Sequence, residues 1–189
     1  EYLRAARPAI PAGRLYALIS PHAGLRYSGP VAAFGYALLR GGRARTVVLV
    51  GPSHRFAFEG VAVFARGAFE TPLGRAPVDG DLAEALVAAD PMIQADSRPH
   101  EGEHSLEMQL PFLQHLVPEL RIVPVLMGTQ GRAEVDVLAS ALAGALGAGD
   151  ASALNHANLA SARLADGDLP RAEAAARRAC DVDPAQAAG

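Results

Sequence analysis

The chain has 189 residues, half of them apolar, and a formal net charge of −3, enough for one ordinary domain with a sizeable core and a small appendage. A mildly acidic balance, an aromatic fraction of 5% and no tryptophan exclude a generalised basic surface or an aromatic stacking platform, so nucleic acid is not an expected partner. Cys180, the only cysteine, excludes an intrachain disulfide. No apolar run approaches the roughly 18 residues of a membrane span and no charged start leads into an apolar segment, so a soluble, cytoplasmic protein without a membrane partner is expected.

In chain order, the first dozen residues carry no strong pattern and read as a lead-in. Leu15 to Ser20 and Thr46 to Val50 are short apolar runs, expected as buried parallel strands. Each is followed by a histidine, His22 in SPHAG and His54 in GPSHR. In open α/β sheets ligands bind beyond the carboxyl ends of the strands, so this arrangement predicts a site at which both imidazoles are aimed. Between the runs, Ser28-Gly29-Pro30 predicts a helix start with Ser28 as cap and Pro30 in the first turn. The helix is expected to reach about Leu39 and to end at Gly41-Gly42. Strand, helix and strand then make a right-handed crossover.

Val61 to Phe64 predicts another strand, Thr71-Pro72-Leu73-Gly74 a turn, and Asp79 to Ala89 a helix. A polar stretch from His100 to His104 leads into LEMQLPFLQHL, where Leu106, Leu110, Leu113 and Leu116 fall at helical spacing with Pro111 near the start. Arg121 to Leu126 has strand length, and Arg132 to Leu146 carries Val135, Leu138, Leu142, Ala145 and Leu146 on one helical face. After Gly147-Ala148-Gly149 the pattern becomes alanine-rich and helical. A boundary is therefore expected near residue 150, with a single hairpin over 150–189 similar to one tetratricopeptide repeat. One repeat cannot bury its own apolar face, so the hairpin is expected to dock or to offer a protein partner a surface.

Neutral imidazole is a common ligand for iron, copper and zinc, which makes His22 and His54 candidate metal ligands. The bland alternative is that each histidine only hydrogen-bonds its own turn. Gly24 and Gly51 suit either, since both permit close approach. His104, in Glu103-His104-Ser105, is a candidate general base or outer ligand held by a carboxylate, or else a first-turn residue in a solvated acidic cap. His100 and His115 are weaker candidates, and His156 belongs to the helical tail. Ser53 beside His54 lacks the G-x-S-x-G elbow of a hydrolase. Neither a Walker pattern nor G-x-G-x-x-G occurs.

Taken together, SPHAGLRYSGPVAA, VVLVGPSHR, ETPLG, EHSLEMQLPFLQ and RIVPVLMG resemble, in this order, the Memo family. Its bacterial and archaeal relatives are known as the B component of the AmmeMemoRadiSam system, and its fold is similar to that of class III extradiol dioxygenases. The resemblance implies an α/β domain over 1–149, with a divalent iron or copper bound by His22 and His54 and with His104 near the cleft. It also implies an S-D-x-(S/C)-H segment and a later cysteine as third ligand. Neither occurs in these 189 residues, and Cys180 lies in no matching motif. The expectation is a partial Memo-like sheet with flanking helices, joined to a helical hairpin, whose redox or dioxygenase-like metal site is impaired. The expected partner is a small molecule or peptide, with a candidate protein partner through the helical tail, and the alternative function is a non-enzymatic module that binds a peptide or a protein.

Overall fold

The structure, a computed structural model, describes residues 1–10, 15 and 17–145. Among these the elements run α1 (Tyr2–Ala5), α2 (Leu25–Tyr36), β1 (Thr46–Pro52), β2 (Val61–Val63), β3 (Ala68–Thr71), β4 (Gly74–Pro77), α3 (Gly80–Ala89), β5 (Ile93–Ala95), α4 (Leu110–Leu116), β6 (Arg121–Met127) and α5 (Arg132–Ala145). They fall into two compact units. Of the described residues, the first comprises Glu1–Pro8 and Ser20–Thr129, and the second residues 9–10, 15, 17–19 and 130–145.

The first unit is built on β6. Its residues Ile122 to Met127 are all buried, because β6 is an inner strand with neighbours on both edges and its apolar run has no solvent face to alternate with. The four-stranded sheet has the order β1-β6-β2-β5. β1 lies parallel to β6 in register from Thr46 opposite Arg121 to Pro52 opposite Met127, so the two strands end side by side. β2 runs antiparallel to β6, with Val61 opposite Met127, and parallel to β5. The sheet is thus mixed rather than parallel throughout. β1 is one of the two outer strands, and Leu49 is its only buried residue.

Several local expectations hold for physical reasons visible here. Asp79 caps α3 by accepting from the Leu82 N–H, and Ala83 and Leu86 form its buried face. Pro111 sits in the first turn of α4, where its missing N–H costs nothing. Leu106, Leu110 and Leu113 are buried. In the second unit, α5 buries Val135, Leu138 and Leu142 of the expected stripe, while Ala145 is half-buried and Leu146 lies outside the described residues.

Other expectations need correction. The described residues of the Leu15 to Ser20 run form no strand, and Leu15 and Ile19 are exposed. A strand needs a ladder partner for its backbone groups, and the neighbour that β1 pairs with is β6. The predicted strand, helix, strand crossover is therefore absent. α2 starts at Leu25 rather than Ser28. The Gly24 carbonyl accepts from the N–H groups of Tyr27 at 2.8 Å and Ser28 at 3.2 Å, while the Ser28 hydroxyl turns back to the Ala23 carbonyl at 2.7 Å and caps nothing. The Thr71 to Gly74 turn is flanked by β3 and β4, a hairpin not read from the sequence. The repeat-like hairpin of 150–189, its His156 and Cys180, and the boundary near 150 lie outside the described residues. No described helix is long and apolar enough to cross a membrane.

Gly51, near the end of β1, permits a close approach. A Cβ there would stand 2.8 Å from Leu106 Cδ2 and 2.9 Å from Ser105 Oγ, so the segment after Glu103 packs against bare backbone. Gly51→Val must push Ser105 and Leu106 off the strand. Overpacking of this kind costs about 1–3 kcal/mol, to be read as a lowered urea midpoint, whereas Gly24→Ala, whose Cβ would meet only Tyr27 Cδ2 at 3.7 Å, should leave the midpoint nearly unchanged.

Candidate metal centre

Three histidines from separate segments converge. His54 follows β1 directly, on a turn in which the Ser53 N–H continues the ladder to the Met127 carbonyl at 3.1 Å and the Ser53 hydroxyl donates to the Phe56 carbonyl at 2.7 Å. That hydroxyl serves the turn. His22 lies in the loop leading into α2, and His104 lies in the segment that packs over Gly51. Ring centroids are 5.2 Å apart for His22 and His54, 5.0 Å for His54 and His104, and 6.3 Å for His22 and His104. The pair expected from the sequence is thus brought together, although by a loop and a strand end rather than by two strand ends.

Glu103 organises the cluster. Its side chain is 2% exposed, against 39% for His54 and 46% for His104. Oε2 accepts from the His54 backbone N–H at 2.6 Å. Oε1 accepts from the backbone N–H groups of His104 and Ser105, each at 2.8 Å, and lies 2.9 Å from His54 Nδ1. Burial opposes ionisation of this carboxyl, but the hydrogen bonds from His54, Ser105 and His104 outweigh it and hold the group at about 2. A proton on His54 Nδ1 directed at this carboxylate would leave a lone pair on Nε2. His104 Nδ1 is farther from the same oxygen, at 3.4 Å, so the carboxylate braces His54 more closely than the histidine beside it in sequence.

His54, Glu103 and His104 each offer one ligand atom, all within 4.8 Å of one another, a group able to hold a metal ion. His22 is kept neutral by its surroundings. Burial lowers its proton affinity first, the neighbouring His54 and His104 lower it further, and Glu103 opposes them. A neutral imidazole is the form that binds metals.

The weaker candidates stand apart. His100 closes a short 3₁₀ turn, Arg98–His100, with Nε2 3.3 Å from the Ala62 carbonyl and its ring edge-on to Phe64 at 5.5 Å. Burial pushes its pKa down. His115 occupies the last turn of α4.

A residue overlooked in the sequence is Gln109. It is buried and donates from Nε2 to the Ser105 carbonyl at 3.2 Å and the Pro21 carbonyl at 3.5 Å. Its Oε1 accepts from the Tyr36 hydroxyl at 2.6 Å. The available signal was a glutamine three residues after Leu106 and four before Leu113, in register with the buried leucines, since a buried amide is there only with partners.

A sequence model of the family described as Memo-like protein matches residues 1–155. A MEMO1 family protein of Methanothermobacter thermautotrophicus is 42% identical over 134 residues, covering 70% of this chain and 48% of the relative. MEMO1 family proteins of Thermotoga maritima, 42% identical over 127 residues with 67% and 46% coverage, and of Pyrobaculum aerophilum, 42% identical over 129 residues with 68% and 46% coverage, are similar in the same way. The chain spans about half the length of the curated relatives it matches. On the family match over most of its length, this chain belongs to the Memo family.

Proposed function

We propose that this chain binds a divalent iron or copper through His22 and His54, and that the ion serves a redox, dioxygenase-like reaction on a small organic molecule. The observation that carries the reading is the convergence of His22, His54 and His104 around a carboxylate buried to 2% exposure. The donor set fits the group. Imidazole nitrogens with a carboxylate brace suit iron and copper better than calcium or magnesium, which prefer all-oxygen shells. Such an ion, when bound, supplies a Lewis acid and a one-electron couple.

The protein's own residues have separable tasks. Glu103, 2.9 Å from His54 Nδ1, orients the ring and would favour the tautomer that leaves Nε2 free for an ion. His22, held neutral, offers a lone pair without first losing a proton. His104, half exposed beside both, is placed to accept a proton from a bound substrate at a ring nitrogen. The division into a metal-binding domain over 1–149 and an appended hairpin over 150–189 belongs to the same reading.

Loading the purified protein with Fe²⁺ or Cu²⁺ and measuring bound metal tests this directly. His22→Ala and His54→Ala should each weaken binding by more than about tenfold, because even outer-shell partners change affinity by about 10–100-fold. Equal metal content in parent and both variants would remove the basis of the proposal.

The carboxylate brace has its own signature in pH. Glu103 titrates at about 2 in the folded protein against an ordinary 4.5, so its contribution is fully present above about pH 4.5 and lost as pH falls towards 2. Linkage puts this at about 3 kcal/mol. Urea midpoints of the metal-free parent should fall over that range, and Glu103→Gln should be less stable at pH 7 and lose less on acidification. A parallel acid limb in parent and variant would contradict the assignment.

A further inference from the structure

We infer that Gln109 is a positioning residue that ties the loop bearing His22 to the segment bearing His104, and so sets the spacing of the histidine cluster. The inference rests on the metal-site reading and names the part of the core that regulates it. Neither histidine is held in place by a sheet. His22 lies outside every described strand and helix, and His104 precedes the 3₁₀ turn Glu107–Gln109. Something must fix their separation.

One buried amide reaches both segments. The two protons on Gln109 Nε2 go to Ser105 O at 3.2 Å and Pro21 O at 3.5 Å, the residues next to His104 and His22. The amide is held in this orientation, because turning it over would set Oε1 against the Ser105 and Pro21 carbonyls, acceptor against acceptor, and give up the bond from the Tyr36 hydroxyl at 2.6 Å. Tyr36 is itself fixed by stacking on Phe112, with centroids 5.0 Å apart and planes within 4°. Burial drives its phenol pKa up, so the hydroxyl stays a neutral donor to Gln109. The chain of contacts runs from α4, through Phe112 and Tyr36, to Gln109, and from there to both histidine loops.

Gln109→Met keeps the volume of the side chain and removes both donors and the acceptor. Relative to the parent, it should weaken Fe²⁺ or Cu²⁺ binding by about tenfold or more, the range seen for outer-shell partners. In a His22→Ala background the same change should have far less effect, because the histidine it positions is gone. A purely structural role would lower affinity by the same factor in both backgrounds. That result, or parental affinity in Gln109→Met, would overturn the inference. Tyr36→Phe, which leaves the stack intact, should move binding in the same direction by a smaller factor, and it serves if Gln109→Met does not fold. Ring-proton NOEs between His22 and His54 in the metal-free protein give a readout independent of metal. They should be present in the parent and lost in Gln109→Met, and their persistence there would also overturn the inference. A parent that shows these NOEs but takes up no metal would refute the metal-site reading and leave the positioning role standing.

Discussion

The site depends on one carboxylate. Glu103 accepts hydrogen bonds from three backbone N–H groups and lies against the ring of His54, so a single side chain joins the end of β1 to the segment that packs over it. A buried anion is tolerable only when its lone pairs are met by donors, and those donors are the backbone of the two segments that carry His54 and His104. The charge and the geometry therefore specify each other. Without the donors Glu103 could not be ionised and buried, and without Glu103 three N–H groups would lack partners beneath the cluster.

The sheet supplies the platform for this. β1 and β6 end together in parallel register, and Gly51 lets the segment after Glu103 settle against bare backbone. The histidines then sit on loops above a rigid edge, where functional side chains are commonly carried. Their proximity has an electrostatic consequence. Burial first, and then the nearness of His54 and His104, disfavours protonation of His22 against the pull of Glu103, so the geometry that gathers the imidazoles also keeps His22 in the neutral form that can bind a metal. Repulsion between like groups and readiness to bind a cation are the same effect seen from two sides.

Much of this was readable residue by residue. The place of His54 is readable because its strand is a dense β-branched run ending in Gly51-Pro52, and Asp79, Pro111 and the leucines of the 106–113 stretch behave as their local chemistry dictates. The family motifs point to His22, His54 and the Glu103-His104-Ser105 segment. The failures have a common cause. Leu15 to Ser20 is as apolar as β1, and a short apolar run does not reveal whether a ladder partner exists. β3, β4 and β5 are strands of three or four residues, too short for a periodic signal. Which histidine Glu103 would hold was also hidden, because adjacency in sequence favours His104 while the fold returns His54 from 49 residues away.

Gln109 shows where such reasoning can be extended. Helical spacing assigns its neighbours to the core, and a glutamine among them is an inconsistency at the level of pattern. Local rules tend to be broken at functional sites, where the cost is compensated by another contribution. Here the compensation is explicit: the amide has an acceptor in Pro21, another in Ser105 and a donor in Tyr36, so its polarity is used in full. A leucine at 109 would fill the same space with less desolvation cost, yet it would leave the carbonyls next to His22 and His104 without their donor. The polar choice stabilises an arrangement of loops rather than a core, which is the form a core takes when it must also hold a site in register.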